Sequence, residues 1–223
     1  MDYNGILTES RWKIIKEITK KESSATSIAK ELGTSLANVS QQLRLLEAYQ
    51  LVKKERKEKN NSPGKPKTIY TLDKEIAELT IISPEVTKRT SLELDDAQKL
   101  MLTIWLKVKK EDQYYLEKFL MCNREIIEKC PGIAISKKSK EKIELLLVTD
   151  HIDEIRQKYS NQKIKEGSNT KEIVCWTHSL AELKEGLLKH EEYFQNLVKE
   201  LETLLDKDSV LEKVEAMKNG KNN

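Results

Sequence analysis

The sequence has few of the features that mark secreted, membrane-bound or disulfide-stabilised proteins. Three cysteines, an odd number at irregular spacing, indicate reduced thiols in a cytoplasmic setting. No run approaches the roughly 18 consecutive apolar residues of a membrane-spanning helix. Met1–Leu7 lacks both the basic lead and the apolar core of a signal peptide. We therefore expect a cytoplasmic protein without a membrane segment.

Patterns typical of catalysis or metal binding are also missing. The sequence contains no glycine-rich phosphate loop, nucleophile elbow or HExxH motif. Cys175 and His178 lie three residues apart and His151 precedes them, but zinc sites usually show paired ligands such as C-x-x-C. A buried cysteine on a strand explains Cys175 better, and His190 occupies a heptad position that favours packing. We expect no enzyme, no cofactor and no metal site.

Charge is plentiful but unevenly distributed. Charged residues make up 35% of the chain and aromatic residues only 5%, which fits a helix-rich protein with much solvated surface. Residues 1–90 hold 17 Lys/Arg against 12 Asp/Glu, whereas the remainder holds 23 against 25. A basic front half and a slightly acidic back half suit a DNA-facing domain followed by one that does not touch DNA.

The stretch Thr34–Val52 has the pattern of an amphipathic helix, with Ser35 as its N-cap. Its apolar residues recur at helical spacing: Leu36, Val39, Leu43 and Leu46. The opposite face is small or hydrogen-bonding and carries no negative charge: Ala37, Asn38, Ser40, Gln41 and Arg44. Such a face suits a major groove, where Asn and Gln pair with adenine and Arg with guanine. An ordinary solvated helix face is the alternative.

The segments before this stretch predict a helix-turn-helix. Ser24–Leu32 has apolar residues at helical spacing, and Gly33 suits a left-handed helix end. A first helix over Glu9–Lys20, capped by Thr8, would complete a three-helix core. Its expected buried residues are Trp12, Ile15 and either Ile18 or Thr19.

The segments after it predict a basic hairpin. Leu51–Lys57 and Lys67–Leu72 have strand character, and the residues between them are polar and interrupted by Pro63, Gly64 and Pro66. Leu51–Lys67 contains seven basic and two acidic residues. A hairpin whose charged residues only face solvent would explain the basic composition of this segment. It would not explain why the segment follows a helix-turn-helix.

Together these segments resemble the winged-helix transcriptional regulators of the ArsR and MarR kind, especially the archaeal members. The matching motifs are Ile28–Leu32, Val39–Leu43, Leu51–Val52 and Gly64–Lys65–Pro66, and the resemblance covers about residues 8–82. It implies a winged helix in which the second helix of the helix-turn-helix reads DNA and the hairpin, called the wing, contacts the DNA backbone or the minor groove.

The sequence departs from the family pattern in two places. Gln50 stands where a glycine usually ends the recognition helix, and a non-glycine in a left-handed conformation costs roughly 1 kcal/mol. The family's metal sensors carry cysteines near the recognition domain, but the first cysteine here is Cys122. Metal sensing of that kind is therefore not expected.

The second half is less clearly patterned. Asp95 is expected to cap a helix that buries Ala97, Leu100, Met101, Ile104, Trp105 and Val108. A second helix should run over Asp112–Lys129. Residues 132–177 fit either strands with one helix, in a small α+β unit with a turn at Gly167–Asn169, or one long helix; we favour the strands.

A heptad-like alternation of apolar residues runs through Ser179–Lys207. It predicts one long helix with a face for a partner helix, either from a second copy or from the same chain. The family resemblance favours the second copy and hence a homodimer. The tail, residues 219–223, is polar and expected to be disordered.

We thus predict a mainly α (α+β) protein with a winged helix-turn-helix at 1–82, a linker at 83–94 and a largely helical domain with at most a small sheet at 95–218. Its expected function is sequence-specific binding of double-stranded DNA in transcription regulation, as a homodimer. A winged-helix adaptor for protein–protein contact is the alternative. A small-molecule effector, if any, is not named by the sequence. The expected DNA-binding residues are Ser35, Ala37, Asn38, Ser40, Gln41, Arg44, Lys54, Arg56, Lys65 and Lys67.

Overall fold

The computed structural model describes residues 5–58 and 67–218, without the side chains of residues 56–58. The chain divides into two compact units, Met1–Leu94 and Asp95–Asn223. The predicted wing tip around Lys65, the side chain of Arg56 and the predicted tail at 219–223 lie outside the described residues. No helix in the described ranges is long and apolar enough to span a membrane.

Three helices form the core of the first unit: α1 (Glu9–Lys20), α2 (Ala25–Glu31) and α3 (Leu36–Ala48). Ser24 and Ser35 cap α2 and α3, since each side-chain oxygen accepts a backbone N–H at 3.2 Å. Between the two helices Gly33 adopts a φ of 60°, which glycine tolerates at little cost. The predicted helix-turn-helix and its capping by Ser35 are confirmed.

Two expectations about buried faces are only partly right: Ile18, Val39, Leu43 and Leu46 are buried as expected, but Trp12 and Leu36 are not. In α1 the buried residues are Ile14 and Ile18, whereas Trp12 is 43% exposed. In α3 the buried residues are Val39, Leu43 and Leu46, whereas Leu36 is 49% exposed. Leu36 lies in the first turn of its helix, and spacing alone does not reveal that the described residues leave its side chain half exposed.

The first unit also contains a three-stranded sheet, in the order β1 (Ser23–Ser24), β3 (Lys67–Leu72), β2 (Val52–Glu58), with β1 between α1 and α2 in the chain. Strands β2 and β3 are antiparallel, with Val52 opposite Leu72 and an irregularity between Lys54 and Arg56. These two strands confirm the predicted stems of the hairpin. With the helix-turn-helix they give the first unit a winged-helix arrangement.

A separate two-stranded ribbon ends the first unit. Strands β4 (Ile76–Ile82) and β5 (Thr87–Glu93) pair antiparallel throughout. Their turn is closed by two hydrogen bonds between Ser83 and Val86. The prediction of a linker at 83–94 is therefore wrong over β5. The β-branched residues Thr87 and Thr90 favour an extended strand, although the polar composition of this stretch suggested a connection.

The second unit is built on a five-stranded sheet in the order β10-β6-β7-β9-β8. Strands β7 and β9 are parallel and the other pairs are antiparallel. Its strands are β6 (Gly132–Lys138), β7 (Lys142–Val148), β8 (Asn161–Glu166), β9 (Asn169–His178) and β10 (Glu202–Asp206). Its helices are α4 (Asp96–Lys107), α5 (Lys110–Cys122), α6 (Arg124–Lys129), α7 (Ile152–Tyr159), α8 (Leu180–Leu188), α9 (Glu192–Leu197) and α10 (Val210–Lys218).

Helices cover both faces of this sheet. Alternate residues of the central strand β7 point to opposite sides: Leu145 and Leu147 join the cluster formed with α4, α5, α6 and α7, whereas Leu146 joins the cluster formed with α8, α9 and α10. A strand buried on both faces is expected to be apolar without alternation. This explains why the run Leu145–Val148 fitted both a strand and a helix.

The fold class expected from sequence is wrong. Among the described residues, ten helices stand beside three sheets, one of them five-stranded, so the protein is an α+β mixture rather than mainly α with a small sheet. The choice of strands with one helix for residues 132–177 was right in kind, and Gly167 does form the turn between two strands, with a φ of 58°. The sequence pattern underestimates the size of the sheet, because β10 lies within the stretch Ser179–Lys207, whose apolar spacing predicts a helix.

The helix expected over Ser179–Lys207 consists of two short helices and a strand. Helix α8 stops because His190 adopts a φ of 55°, and the N–H of Glu191 bonds the carbonyl of Gly186 at 3.0 Å. This pairing is the Schellman motif that ends many helices. Leu187 and Leu197 are buried within their own unit, so the proposed dimer helix does not exist.

Two smaller expectations also need correction. Asp95 and Gln98 form the predicted start of α4 as a reciprocal capping box, but Trp105 is 55% exposed rather than buried. The helix expected over Asp112–Lys129 is interrupted at Asn123, whose side-chain amide donates to the carbonyl of Phe119 at 2.8 Å. An asparagine that bonds local backbone competes with the helical hydrogen bonds.

Replacing Gln50 with glycine should stabilise the first unit. Gln50 has a φ of 57°, and relief of that left-handed strain is expected to raise the free energy of unfolding by about 1 kcal/mol. Urea denaturation of both proteins measures the difference. The matched control is Gln41→Gly in the interior of α3, which should destabilise by about 0.5–1 kcal/mol. Equal effects of the two changes would contradict the assignment.

The buried ion pair of Lys171 with Asp112 should behave asymmetrically on mutation. Asp112→Ala leaves a buried ammonium without its carboxylate and should cost about 3–5 kcal/mol. The double change Asp112→Leu with Lys171→Met removes both charges and should cost far less. Denaturant unfolding of the single and double variants tests this, and a double variant no more stable than Asp112→Ala would refute it.

Candidate nucleic-acid interface

The exposed side of α3 carries a continuous stripe of small and hydrogen-bonding side chains. Ala37, Gln41, Arg44 and Ala48 are exposed and follow one another at spacings of four, three and four. They lie opposite the buried Val39, Leu43 and Leu46. No carboxylate belongs to this stripe, so it offers donors and an Arg cation to an anionic or hydrogen-bonding ligand.

Asn38 is held by its neighbours rather than projecting freely. Its side-chain amide donates to the hydroxyl of Thr34 at 3.1 Å, and its carbonyl oxygen accepts from Gln42 at 3.5 Å. Gln42 in turn accepts from the guanidinium of Arg11 at 2.8 Å. Arg11 also donates to the carbonyl of Ile6 at 2.7 Å. The chain of contacts ties α3 to α1.

Sequence reasoning missed Thr34, Gln42 and Arg11 as members of this network. Thr34 and Gln42 stand four residues before and after Asn38, the spacing at which helical side chains meet, and that signal was present. Arg11 lies 31 residues from Gln42 in sequence, so no local pattern could have paired them.

Lys54 lies next to α3 but is already paired. Its ammonium donates to Glu47 of α3 at 2.8 Å. That hydrogen bond raises the pKa of Lys54, and the nearby Arg44 opposes the shift. The structure thus brings Lys54, Arg44 and Glu47 together. Glu47 is a negative charge beside the candidate face, and the helical spacing of the polar residues does not reveal it.

The remaining predicted residues differ in how exposed their side chains are and in whether those side chains already make a hydrogen bond. Ser35 is exposed but its oxygen is used as the cap of α3, and Ser40 is only partly exposed. Lys67 is exposed at the start of β3. Arg56 lies on β2 with its side chain outside the described part of the chain, and Lys65 lies wholly outside it.

Two cysteines of the second unit are buried, Cys130 and Cys175. Cys175 is buried in β9, as predicted, and burial raises the pKa of its thiol. Burial likewise raises the pKa of Cys130 to about 12. Such thiols are inert near neutral pH. Within the described ranges, no group of three or more His, Cys, Asp or Glu residues could hold a metal ion.

His178 belongs to a hydrogen-bonded chain instead of pairing with Cys175. Its ring nitrogens lie 3.1 Å from Glu182 and 2.9 Å from the hydroxyl of Tyr193. Burial lowers the pKa of His178, while Glu182 opposes that shift. The ring is therefore neutral near pH 7 and holds α8 and α9 against the end of β9. His190, expected to be a packed heptad residue, is exposed.

Comparison with known proteins identifies one family for part of the chain. The family model described as HVO_A0114 matches residues 6–70. The matched span runs from the residues before α1 into β3, so it contains the helix-turn-helix and most of the wing stems, but less than a third of the 223 residues. The sequence has no match among curated proteins.

Proposed function

We propose that this protein is a sequence-specific double-stranded DNA-binding regulator of transcription, of the ArsR-like winged-helix type, acting in the cytoplasm. The observation that carries the proposal is the exposed, carboxylate-free stripe Ala37–Gln41–Arg44–Ala48 on the second helix of a helix-turn-helix. A helix of this kind enters the major groove and reads base edges with its outward side chains.

In this proposal some residues contact base edges and others contact phosphates. Gln41 and Arg44 contact base edges, and Asn38 acts from within its hydrogen-bonded network. Lys54 and Lys67 contact phosphates, which position the protein without reading sequence. Two copies would match a palindromic site, with half-sites about one turn apart. The proposed homodimer does not use the long helix expected over Ser179–Lys207, because Leu187 and Leu197 are buried within their own unit.

One observation favours a second candidate. Leu36 and Leu45 are 49% and 37% exposed on α3, and exposed apolar residues on a helix also suit contact with another protein. In that case the winged helix would be an adaptor in a transcription or chromosome assembly. DNA binding at two salt concentrations separates the candidates.

DNA affinity should fall steeply as salt rises, because lysines and arginines release counterions from phosphates. The logarithm of the binding constant should fall with the logarithm of salt concentration by about 0.9 per phosphate contact. Filter binding with genomic fragments measures the slope. An affinity that does not change between low and moderate salt would exclude DNA as the main partner and favour the adaptor.

Gln41→Ala and Lys67→Ala should have different effects. The first removes a base contact and should cost about 1–3 kcal/mol at one base pair of a selected site. The second removes a phosphate contact and should weaken all sequences alike, with a salt slope smaller by about one. Competition between the selected site and scrambled DNA distinguishes the two effects.

The control for this pair is Gln157→Ala, because Gln157 is an exposed glutamine on α7 of the second unit. It should leave DNA binding unchanged. If Gln41→Ala weakened selected and scrambled DNA equally, Gln41 would not read bases.

Glu47→Gln should strengthen DNA binding. The change removes a carboxylate beside the recognition stripe and releases Lys54 from its ion pair. We expect higher affinity for all sequences and a salt slope larger by about one, since one more lysine can neutralise a phosphate. Glu85→Gln, on the turn of the β4–β5 ribbon, is the control and should change neither quantity. Unchanged or weaker binding by Glu47→Gln would mean that Lys54 does not contact DNA.

A further inference from the structure

The β4–β5 ribbon has little support from the rest of the first unit. Among the described residues, neither of its outer edges pairs with another strand, and of its apolar side chains only Ile76 packs against a hydrophobic cluster. Ile82 is 82% exposed and Ile81 is 48% exposed. An isolated two-stranded hairpin is marginally stable at best in water. The ribbon therefore needs a further partner.

The hydrogen-bond pattern leaves a free edge along β4. The N–H of Ser83 bonds the carbonyl of Val86 at 2.9 Å, so these residues form the closing hydrogen-bonded pair of the hairpin. Hydrogen-bonded and non-hydrogen-bonded pairs alternate from there along the antiparallel ladder. Every second residue of β4 therefore points its N–H and C=O away from β5: Ile76, Glu78, Thr80 and Ile82. A row of such groups is a template for another strand.

The sequence of β4 is complementary to itself. Read in either direction, the strand is apolar, apolar, polar, apolar, polar, apolar and apolar. If two copies pair antiparallel over the full strand, Leu79 faces its counterpart on a two-fold axis, and Glu78 faces Thr80. The other pairs join Ile76 to Ile82 and Ala77 to Ile81, so apolar residues meet apolar residues. Matched cross-strand pairs of this kind stabilise a sheet.

Charge favours this edge and this register over the alternatives. Glu78 is the one charged residue of β4, and Arg89 of the same ribbon pairs with it at 2.9 Å. An axis centred on Glu78 would place two carboxylates opposite each other, which is unfavourable. On the outer edge of β5, the full-length pairing would place Lys88 opposite Leu92, and lysines on an edge strand oppose pairing.

We propose that β4 pairs with β4 of a second copy of the chain, which joins the two ribbons into one four-stranded antiparallel sheet. The interface is the same patch on both copies, as a two-fold dimer requires. This inference deepens the proposed function and rests on it only for the purpose of the dimer, since it names the surface that joins two copies on a palindromic site. Dimerisation is measured without DNA, so the two proposals fail separately.

The exposed end of β4 also gains an apolar neighbour in this arrangement. Ile82 of one copy lies beside Ile76 of the other, on the same face of the sheet. A groove of about 540 Å³ adjoins Ile76, and Trp12 and Ile15 of α1 line it as well. Trp12 is 43% exposed. The pairing therefore brings the most exposed apolar residue of the ribbon next to an open apolar surface.

Cysteine cross-linking tests the position of the two-fold axis. The full-length protein carries Cys122→Ser, which removes the exposed native thiol. In that background Leu79→Cys should form a disulfide-linked dimer under mild oxidation, because Cα atoms in a non-hydrogen-bonded pair are about 4.5 Å apart, within the range that a disulfide spans. Thr90→Cys is the matched control, since Thr90 pairs with Leu79 at the centre of β5. It should remain a monomer on a non-reducing gel.

Proline substitution tests the pairing of the edge. Thr80→Pro removes an N–H that points away from β5, a position at which an edge strand tolerates proline. The dissociation constant of the dimer in sedimentation equilibrium should rise about ten-fold or more, because both copies lose a ladder hydrogen bond. Ser91→Pro removes an outward N–H from the edge of β5 and should leave the constant unchanged. Circular dichroism verifies that both variants are folded.

Three results would overturn the proposal. The unmodified protein could sediment as a monomer at every concentration, whether or not it binds DNA. Cross-linking through Thr90→Cys but not through Leu79→Cys would assign the contact to β5. An unchanged dissociation constant in folded Thr80→Pro would place the dimer interface on another surface. A dimer with the expected cross-link that does not bind DNA would support the interface and contradict the proposed function alone.

Discussion

Helix termination by a left-handed residue is the constraint on which much of this fold depends. Gly33, Gln50 and His190 all have positive φ values, and each is followed by the paired backbone hydrogen bonds of a Schellman motif. Gly33 forms the turn of the helix-turn-helix, Gln50 lies in the connection from α3 to β2, and His190 lies in the connection from α8 to α9. Because the motif satisfies the last carbonyls of each helix, it offsets the strain that Gln50 and His190 carry.

The sequence revealed helix ends where the residue type matched the geometry. Ser35 and Asp95 were recognised as caps and Gly33 as an end, and α1, α2, α3 and α4 followed. His190 gave no such signal, since a left-handed residue other than glycine is uncommon. The leucines of α8 and α9, and those of β10, therefore merged into one apparent helix. Strand β5 was missed for a different reason: a two-stranded ribbon buries little, so its residues look like a linker.

The candidate interface was partly predictable. The exposed stripe of α3 follows from helical periodicity, because the buried residues identify the opposite side. The contacts of Arg11 with Gln42 and of Lys54 with Glu47 depend on how α1 and β2 lie against α3, and spacing along one helix carries no such information. The face of α1 that carries Trp12, Ile15 and Thr19 was hidden similarly. Its residues have the spacing of a core face, and only the packed structure shows that Ile14 and Ile18 fill that role.

The order of strands in the second unit has a consequence for synthesis on the ribosome. The first unit is complete at Leu94 and can fold as soon as it emerges, since its described strands all pair with one another within residues 23–93. One edge of strand β6 pairs with β7, but its other edge stays unpaired until β10 has been made, because Gly132 pairs with Asp206. Until then the apolar strand Gly132–Ile135 presents an unpaired edge, the kind of edge that promotes aggregation in nascent chains. Helix α10, which covers β10 and β6, is the last of the described elements to leave the ribosome.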